Sequence, residues 1–192
     1  MVLSTGSKKI KTAIFISGTG SNLKSLINFS KRKKSPISIN LIISSNKKAK
    51  GLKFAKIFNI KKKIYNFEKN ILDEKRILFE LKKNEISLIC LAGFMKILSK
   101  DFIKNFKGKI LNIHPSLLPK FKGLNTHEKA IKNKDKLTGC TVHYVSSKLD
   151  SGKIILQKKV KISTKDNPAT LSKKVLKQEH KLYPAAIIKI FG

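Results

Sequence analysis

Acidic side chains are scarce: 11 Asp and Glu stand against 43 Lys and Arg in 192 residues, a formal charge of +32. Arginine is scarcer still, since only Arg32 and Arg76 carry a guanidinium. Readers of bases and phosphates lean on the bidentate guanidinium fork, which lysine lacks. The lysines are also spread along the whole chain among Ile and Asn, and clusters such as "KRKK" (31 to 34) and "IKKKI" (60 to 64) are too brief for a disordered tail. The charge therefore reads as a solvated lysine coat that attracts small polyanionic substrates, with no nucleic acid expected as partner. Cysteine is limited to Cys90 and Cys140 with no CxxC spacing, which excludes a disulfide framework and a cysteine zinc site. A reducing, cytoplasmic setting fits. His127, His143 and His180 lack metal spacing with any carboxylate or cysteine, so no metal is expected. Long apolar runs are missing too: "TAIFIS" (12 to 17) breaks at Gly18, too short for a signal segment or a membrane span. Neither a Gly/Ser linker nor a repeat divides the chain. One domain over 10–192 is expected, behind a flexible leader at 1–9.

What is present is alternation. "TAIFIS" (12 to 17), "ISINLIIS" (37 to 44), "KKIYNF" (62 to 67), "SLICLAGF" (87 to 94) and "KILNI" (109 to 113) read as strands. Between them, 21 to 34, 50 to 59, 74 to 84 and 99 to 106 repeat apolar residues at three and four, the helical period. A short helix is expected near "THEKAIKN", then extended segments at 139 to 146 and 153 to 162, then a last helix capped by Asn167 with Pro168 at its first position. Pro184 is expected to kink or restart that helix. The pattern predicts an α/β fold: a Rossmann-like, mainly parallel sheet with helices on both faces and a C-terminal antiparallel extension. Function is then expected at the carboxyl ends of the strands.

Three stretches carry candidate chemistry. "SGTGSNL" (17 to 23) closes the first strand and opens the first helix, where glycines let backbone N–H groups approach an anion. It departs from the dinucleotide fingerprint, because Leu23 stands where a third glycine would and no acid ends the second strand. A tight turn capped by Ser21 or Asn22 is the structural alternative. Asn112 and His114, two apart at a strand end, project to one side. An amide donor beside an imidazole suits attack on an acyl carbonyl, where an oxyanion develops and a proton must move. Asp150, in the turn "LDSG", is a candidate to orient and charge the imidazole; a plain Asp-Ser-Gly turn is the alternative. No Ser or Cys sits in a nucleophile elbow. His127 and His143 read as structural, and Glu179 as either a ribose ligand or a solvated helical acid.

In order along the chain, "SGTGSNL", "CLAGFMKIL", "LNIHPSLLPKFKGLNTHEKA", "GCTVHYV", "LDSGKIILQ" and "QEHKLYP" resemble the glycinamide ribonucleotide formyltransferases, from about residue 11 to the C-terminus. The resemblance implies transfer of a formyl group from the co-substrate 10-formyltetrahydrofolate to the amine of glycinamide ribonucleotide, in purine biosynthesis, by a monomer or homodimer without metal. It implies Asn112, His114 and Asp150 as the catalytic trio. Gly20, Ser21 and Asn22 would hold the phosphate, Met95 and Glu179 the sugar and glycinamide portions, and Pro115 would shape the cleft. The folate would lie along Met95, Lys96, Ile97 and Leu98, against Asn112, and along Ser146, Ser147, Lys148, Leu149 and Asp150. Lys96 replaces the arginine usual in these enzymes, and the folate tail has Arg76, Lys75 or Lys69 as candidate partners. Two rivals share the trio: methionyl-tRNA formyltransferase, which needs a further C-terminal domain, and formyltetrahydrofolate deformylase, which usually carries an extra N-terminal one.

Overall fold

The computed structural model describes residues 8–65, 67 and 71–192. Most of the expected leader and Lys69 lie outside them. Among the described residues, seven strands form one sheet in the order β3-β2-β1-β4-β5-β6-β7. Strands β1 (Ile10–Ile16), β2 (Ile37–Ser44), β3 (Lys61–Ile64), β4 (Leu88–Leu91) and β5 (Lys109–His114) run parallel. Strands β6 (Leu137–Tyr144) and β7 (Ile154–Lys161) complete the sheet antiparallel, the predicted extension.

Alternation along β1 explains the two-sided core. Ile14 and Ile16 pack to one face with Leu23, Leu26 and Ile27 of helix α1 (Ser21–Ser30) and Leu171, Val175 and Ile187 of helix α6 (Pro168–Phe191). Ala13 and Phe15 point to the other, against Ile77 and Leu81 of α3 (Ile71–Lys83) and Phe102 of α4 (Lys100–Asn105). Burying side chains of this size contributes about 1.5–3 kcal/mol each. Among the described residues the remaining helices are α2 (Lys53–Ile57), preceded by a 3-10 turn, and α5 (Thr126–Lys132).

Chain order leaves β1 toward β2 on one side and continues at β4 on the other, so a crevice opens at the carboxyl ends of β1 and β4. The loop Ser17–Gly20 and the loop after Leu91 border it.

Several boundaries differ from expectation. Helix α1 ends at Ser30, because Lys31 to Lys34 are exposed and offer nothing to bury. Strand β4 stops at Leu91; Gly93 adopts φ 69 as the chain turns away. Pro184 does not restart α6, which stays helical for 24 residues without a break. A proline deprives the carbonyl four residues back of its helical donor. That carbonyl, on His180, instead accepts from Ser25 Oγ of α1 at 3.0 Å.

Candidate active site

The first loop is shaped by close approach. Gly20, not Ser21 or Asn22, is the N-cap of α1, at φ 76 and without a side-chain cap. A Cβ there would meet Gly51 Cα at 2.6 Å, so only glycine fits. Ser21 and Asn22 become the first helical residues, leaving N–H groups at the helix start free for an anion. Asn22 Nδ2 donates to Glu179 Oε2 at 2.6 Å, while Asn22 Oδ1 is buried with no partner. Burial raises the Glu179 pKa, opposed by the Asn22 hydrogen bond. Glu179 is thus a buried acid facing the cleft, not a solvated one.

Pro115 ends β5 by removing a ladder donor, and β6 and β7 anchor the loop that follows. Thr141 Oγ1 donates to Ser116 O at 2.6 Å and accepts from Leu118 N–H at 3.1 Å, while Gln157 Nε2 donates to Leu118 O at 2.8 Å. This loop brings Phe121 O to 2.9 Å from His114 Nε2. A carbonyl only accepts, so Nε2 carries a hydrogen there. Nδ1 of the same ring stands 3.4 Å from Asp150 Oδ2.

Asp150, 36 positions along the chain, sits in a left-handed turn at φ 45, a conformation Asp tolerates better than most residues. Gly123 N–H donates to its Oδ2 at 2.9 Å, and its side chain is 8 % exposed. The carboxylate therefore links the loop after β6 to the loop after β5 while facing the imidazole.

His143, expected to be structural, also belongs to this cluster. It lies opposite Asn112 in the β5–β6 register. Its Nδ1 is 2.8 Å from Tyr144 O, so Nδ1 carries the hydrogen. Burial depresses its pKa, against the hydrogen bond to Tyr144 and the nearby Asp150, leaving Nε2 a neutral acceptor. That nitrogen is 3.2 Å from Asn112 Nδ2 and so takes one amide hydrogen, leaving the other for a ligand. Asp150 Oδ1 lies 3.7 Å from the same Nε2. The signal available in the sequence was cross-strand: His143 pairs with Asn112 only once the return strand is placed. His127, also expected to be structural, lines the cleft, its pKa lowered by burial and then by His114.

These groups share one cleft of about 1210 Å³. Gly20, Met95 to Leu98, Pro115 and Ser146 to Leu149 line it with the trio. Its size is somewhat above the roughly 300–1,000 Å³ usual for one small ligand. Met95, Ile97, Leu124 and Leu149 stand 66, 74, 68 and 52 % exposed around it, an apolar rim suited to a flat heterocycle. Lys75 and Arg76 instead border a smaller depression with Tyr65, Phe79 and Glu80, away from the cleft lining, and Arg76 pairs with Asp73 at 3.5 Å. Among the described residues, no three His, Cys, Asp or Glu are grouped to hold a metal ion, and no helix is long and apolar enough to cross a membrane.

Comparison with known proteins matches residues 10–187 to the formyl transferase family. The phosphoribosylglycinamide formyltransferase of Haemophilus influenzae is 41 % identical over 92 % of this chain and 85 % of its own length. The human trifunctional purine biosynthetic protein adenosine-3 is 43 % identical over 94 % of this chain, which spans only 18 % of that protein. The crystal structure of phosphoribosylglycinamide formyltransferase from Brucella melitensis superposes with a TM-score of 0.91 at 40 % identity, covering 96 % of this chain and 97 % of that one.

Proposed function

The chain belongs to the formyl transferase family, and from that premise we propose that it transfers the formyl group of 10-formyltetrahydrofolate to the amine of glycinamide ribonucleotide. The observation that carries this reading is the convergence of Asn112, His114 and Asp150 in one cleft of about 1210 Å³ whose lining also includes the start of α1 and the exposed apolar residues Met95, Ile97, Leu124 and Leu149. The likeness to phosphoribosylglycinamide formyltransferases over nearly the whole chain supports the choice of acceptor.

Attack of the amine on the formyl carbon places negative charge on the formyl oxygen. The Asn112 amide, aimed by His143, donates its remaining hydrogen to that oxygen. His114, oriented by Asp150 and Phe121 O, moves the proton that the amine must lose and the folate nitrogen must gain. Gly20, Ser21 and Asn22 receive the phosphate at the start of α1, and Glu179, which lines the same cleft, receives ribose or amide hydrogens. Met95 to Leu98 and Ser146 to Asp150 bracket the pterin. One domain over 10–192, working in the cytoplasm as monomer or homodimer without metal or nucleic acid, completes the proposal.

The test offers 10-formyltetrahydrofolate with three acceptors and follows the loss of its formyl group by absorbance. Consumption that requires glycinamide ribonucleotide is expected. Consumption by water alone would identify a deformylase, and consumption requiring methionyl-tRNA the tRNA enzyme; either replaces this reading. Salt-sensitive binding to nucleic acid with indifference to all three would assign the lysine coat a function instead.

A further inference from the structure

The peptide that carries the Asn112 side chain is gripped from beneath by a residue outside the cleft lining. The β4–β5 ladder ends at the Leu91–Asn112 pair. Ala92 N–H donates to Phe15 O on β1 at 2.9 Å, so the Leu91 carbonyl, across the same planar trans peptide, points the other way, toward β5. Val145 N–H donates to Ile110 O at 2.9 Å, so the next carbonyl along β5, Leu111, faces back toward β4. Both carbonyls look into the seam between the two strands at its last rung. Tyr183 of α6 reaches that seam: its hydroxyl donates to Leu111 O at 3.0 Å and to Leu91 O at 3.1 Å, and the residue is 1 % exposed. One hydroxyl hydrogen, shared between two strands, ties them where the ladder stops and the cleft begins.

We propose that Tyr183 is a positioning residue for the transfer: its hydroxyl sets the plane of the Leu111–Asn112 peptide and thereby the aim of the Asn112 amide. The inference rests on the formyl-transfer reading. The side-chain end of Asn112 is held by His143 from β6, and its backbone end by Tyr183 from α6. Leu91 O, tied to the same hydroxyl, leads into the Ala92–Leu98 segment that lines the cleft, so one bond also sets the spacing of the two walls. Misplacement of a reacting group by about 1 Å can cost about a hundredfold in rate, so a bond of this kind acts on turnover without touching substrate.

Tyr183→Phe keeps the ring and removes the hydroxyl. Its kcat is expected to fall about tenfold while KM for both substrates stays within about twofold. Ile187→Val, also buried in α6, is the control: it loosens the same helix and leaves kcat unchanged. In an Asn112→Ala background the Tyr183→Phe effect should shrink below about twofold, since the group it aims is gone. A full loss in both backgrounds, or a loss matched by Ile187→Val, would make Tyr183 merely structural and overturn the proposal. If the wild type transfers no formyl group, the functional reading fails separately, and hydrogen exchange at the Ala92 and Asn112 amides decides the positioning claim. Faster exchange in Tyr183→Phe than in Ile187→Val supports it; equal exchange overturns it. If Tyr183→Phe does not fold, wild-type NMR must show a slowly exchanging Tyr183 hydroxyl proton near both amides. Its absence overturns the proposal.

Discussion

Single residues divide the labour unevenly. In the proposed transfer Asn112 supplies a donor where charge develops, so Asn112→Asp removes the donor and adds repulsion. Turnover should fall by about a hundredfold or more with the circular dichroism spectrum unchanged, and an unchanged rate would remove Asn112 from the mechanism. Glu179 carries the opposite balance between stability and function. Burial raises its pKa, so the folded state binds a proton more readily than the unfolded one, and stability declines as pH rises from the unfolded carboxyl pKa through the folded value. Glu179→Gln stays neutral and can still accept from Asn22. Its thermal midpoint at neutral pH should exceed the wild type while KM for the ribonucleotide rises; a lower midpoint would mean that the ionised pair with Asn22 is itself stabilising. Asn112 and His114 were legible in the sequence because period-two spacing puts both on one side of β5. Asp150 was a candidate in the sequence beside a plain Asp-Ser-Gly turn, and no local rule joins positions 36 apart to decide between them. The contact of His143 with Asn112 was not legible, because it comes from the antiparallel register of β5 and β6, which no short motif encodes.

At the scale of elements, strand and helix order followed from hydrophobic period, whereas ends and proline effects depended on contacts across the fold. Helix α1 loses its last predicted turn because Lys31 to Lys34 have no face to bury. Helix α6 survives Pro184 because Ser25 of α1 serves the carbonyl that proline leaves unpaired. Ser25→Ala should therefore cost about 1–2 kcal/mol in urea denaturation, more than an ordinary surface serine, because the His180 carbonyl loses its donor. In a Pro184→Ala background the helix restores a backbone donor, and the Ser25→Ala penalty should shrink. Equal penalties in both backgrounds would separate the serine from the proline.

For the molecule as a whole, charge and burial make predictions that no single contact does. A net +32 should draw the phosphate-bearing substrate to the cleft, so its KM should rise severalfold from low to physiological ionic strength while kcat holds. Flat KM would leave the lysine coat without a part in encounter. His127, His143 and His180 all have pKa values lowered by burial. Unfolded, each binds a proton near its ordinary value of about 6.5; folded, each resists it. Their contribution to stability is thus fully present above that pH and is lost as pH falls through the window down to the folded values. The urea midpoint should drop steadily below about pH 6.5, and a midpoint flat across that window would contradict the buried, neutral assignment. In the proposed transfer an imidazole and a carboxylate from distant loops act together on one formyl carbon. The most direct test is the steady-state rate of formyl transfer to glycinamide ribonucleotide by His114→Ala and Asp150→Asn beside the wild type. Each variant should be folded and at least about a hundredfold slower; wild-type turnover by either would contradict the account.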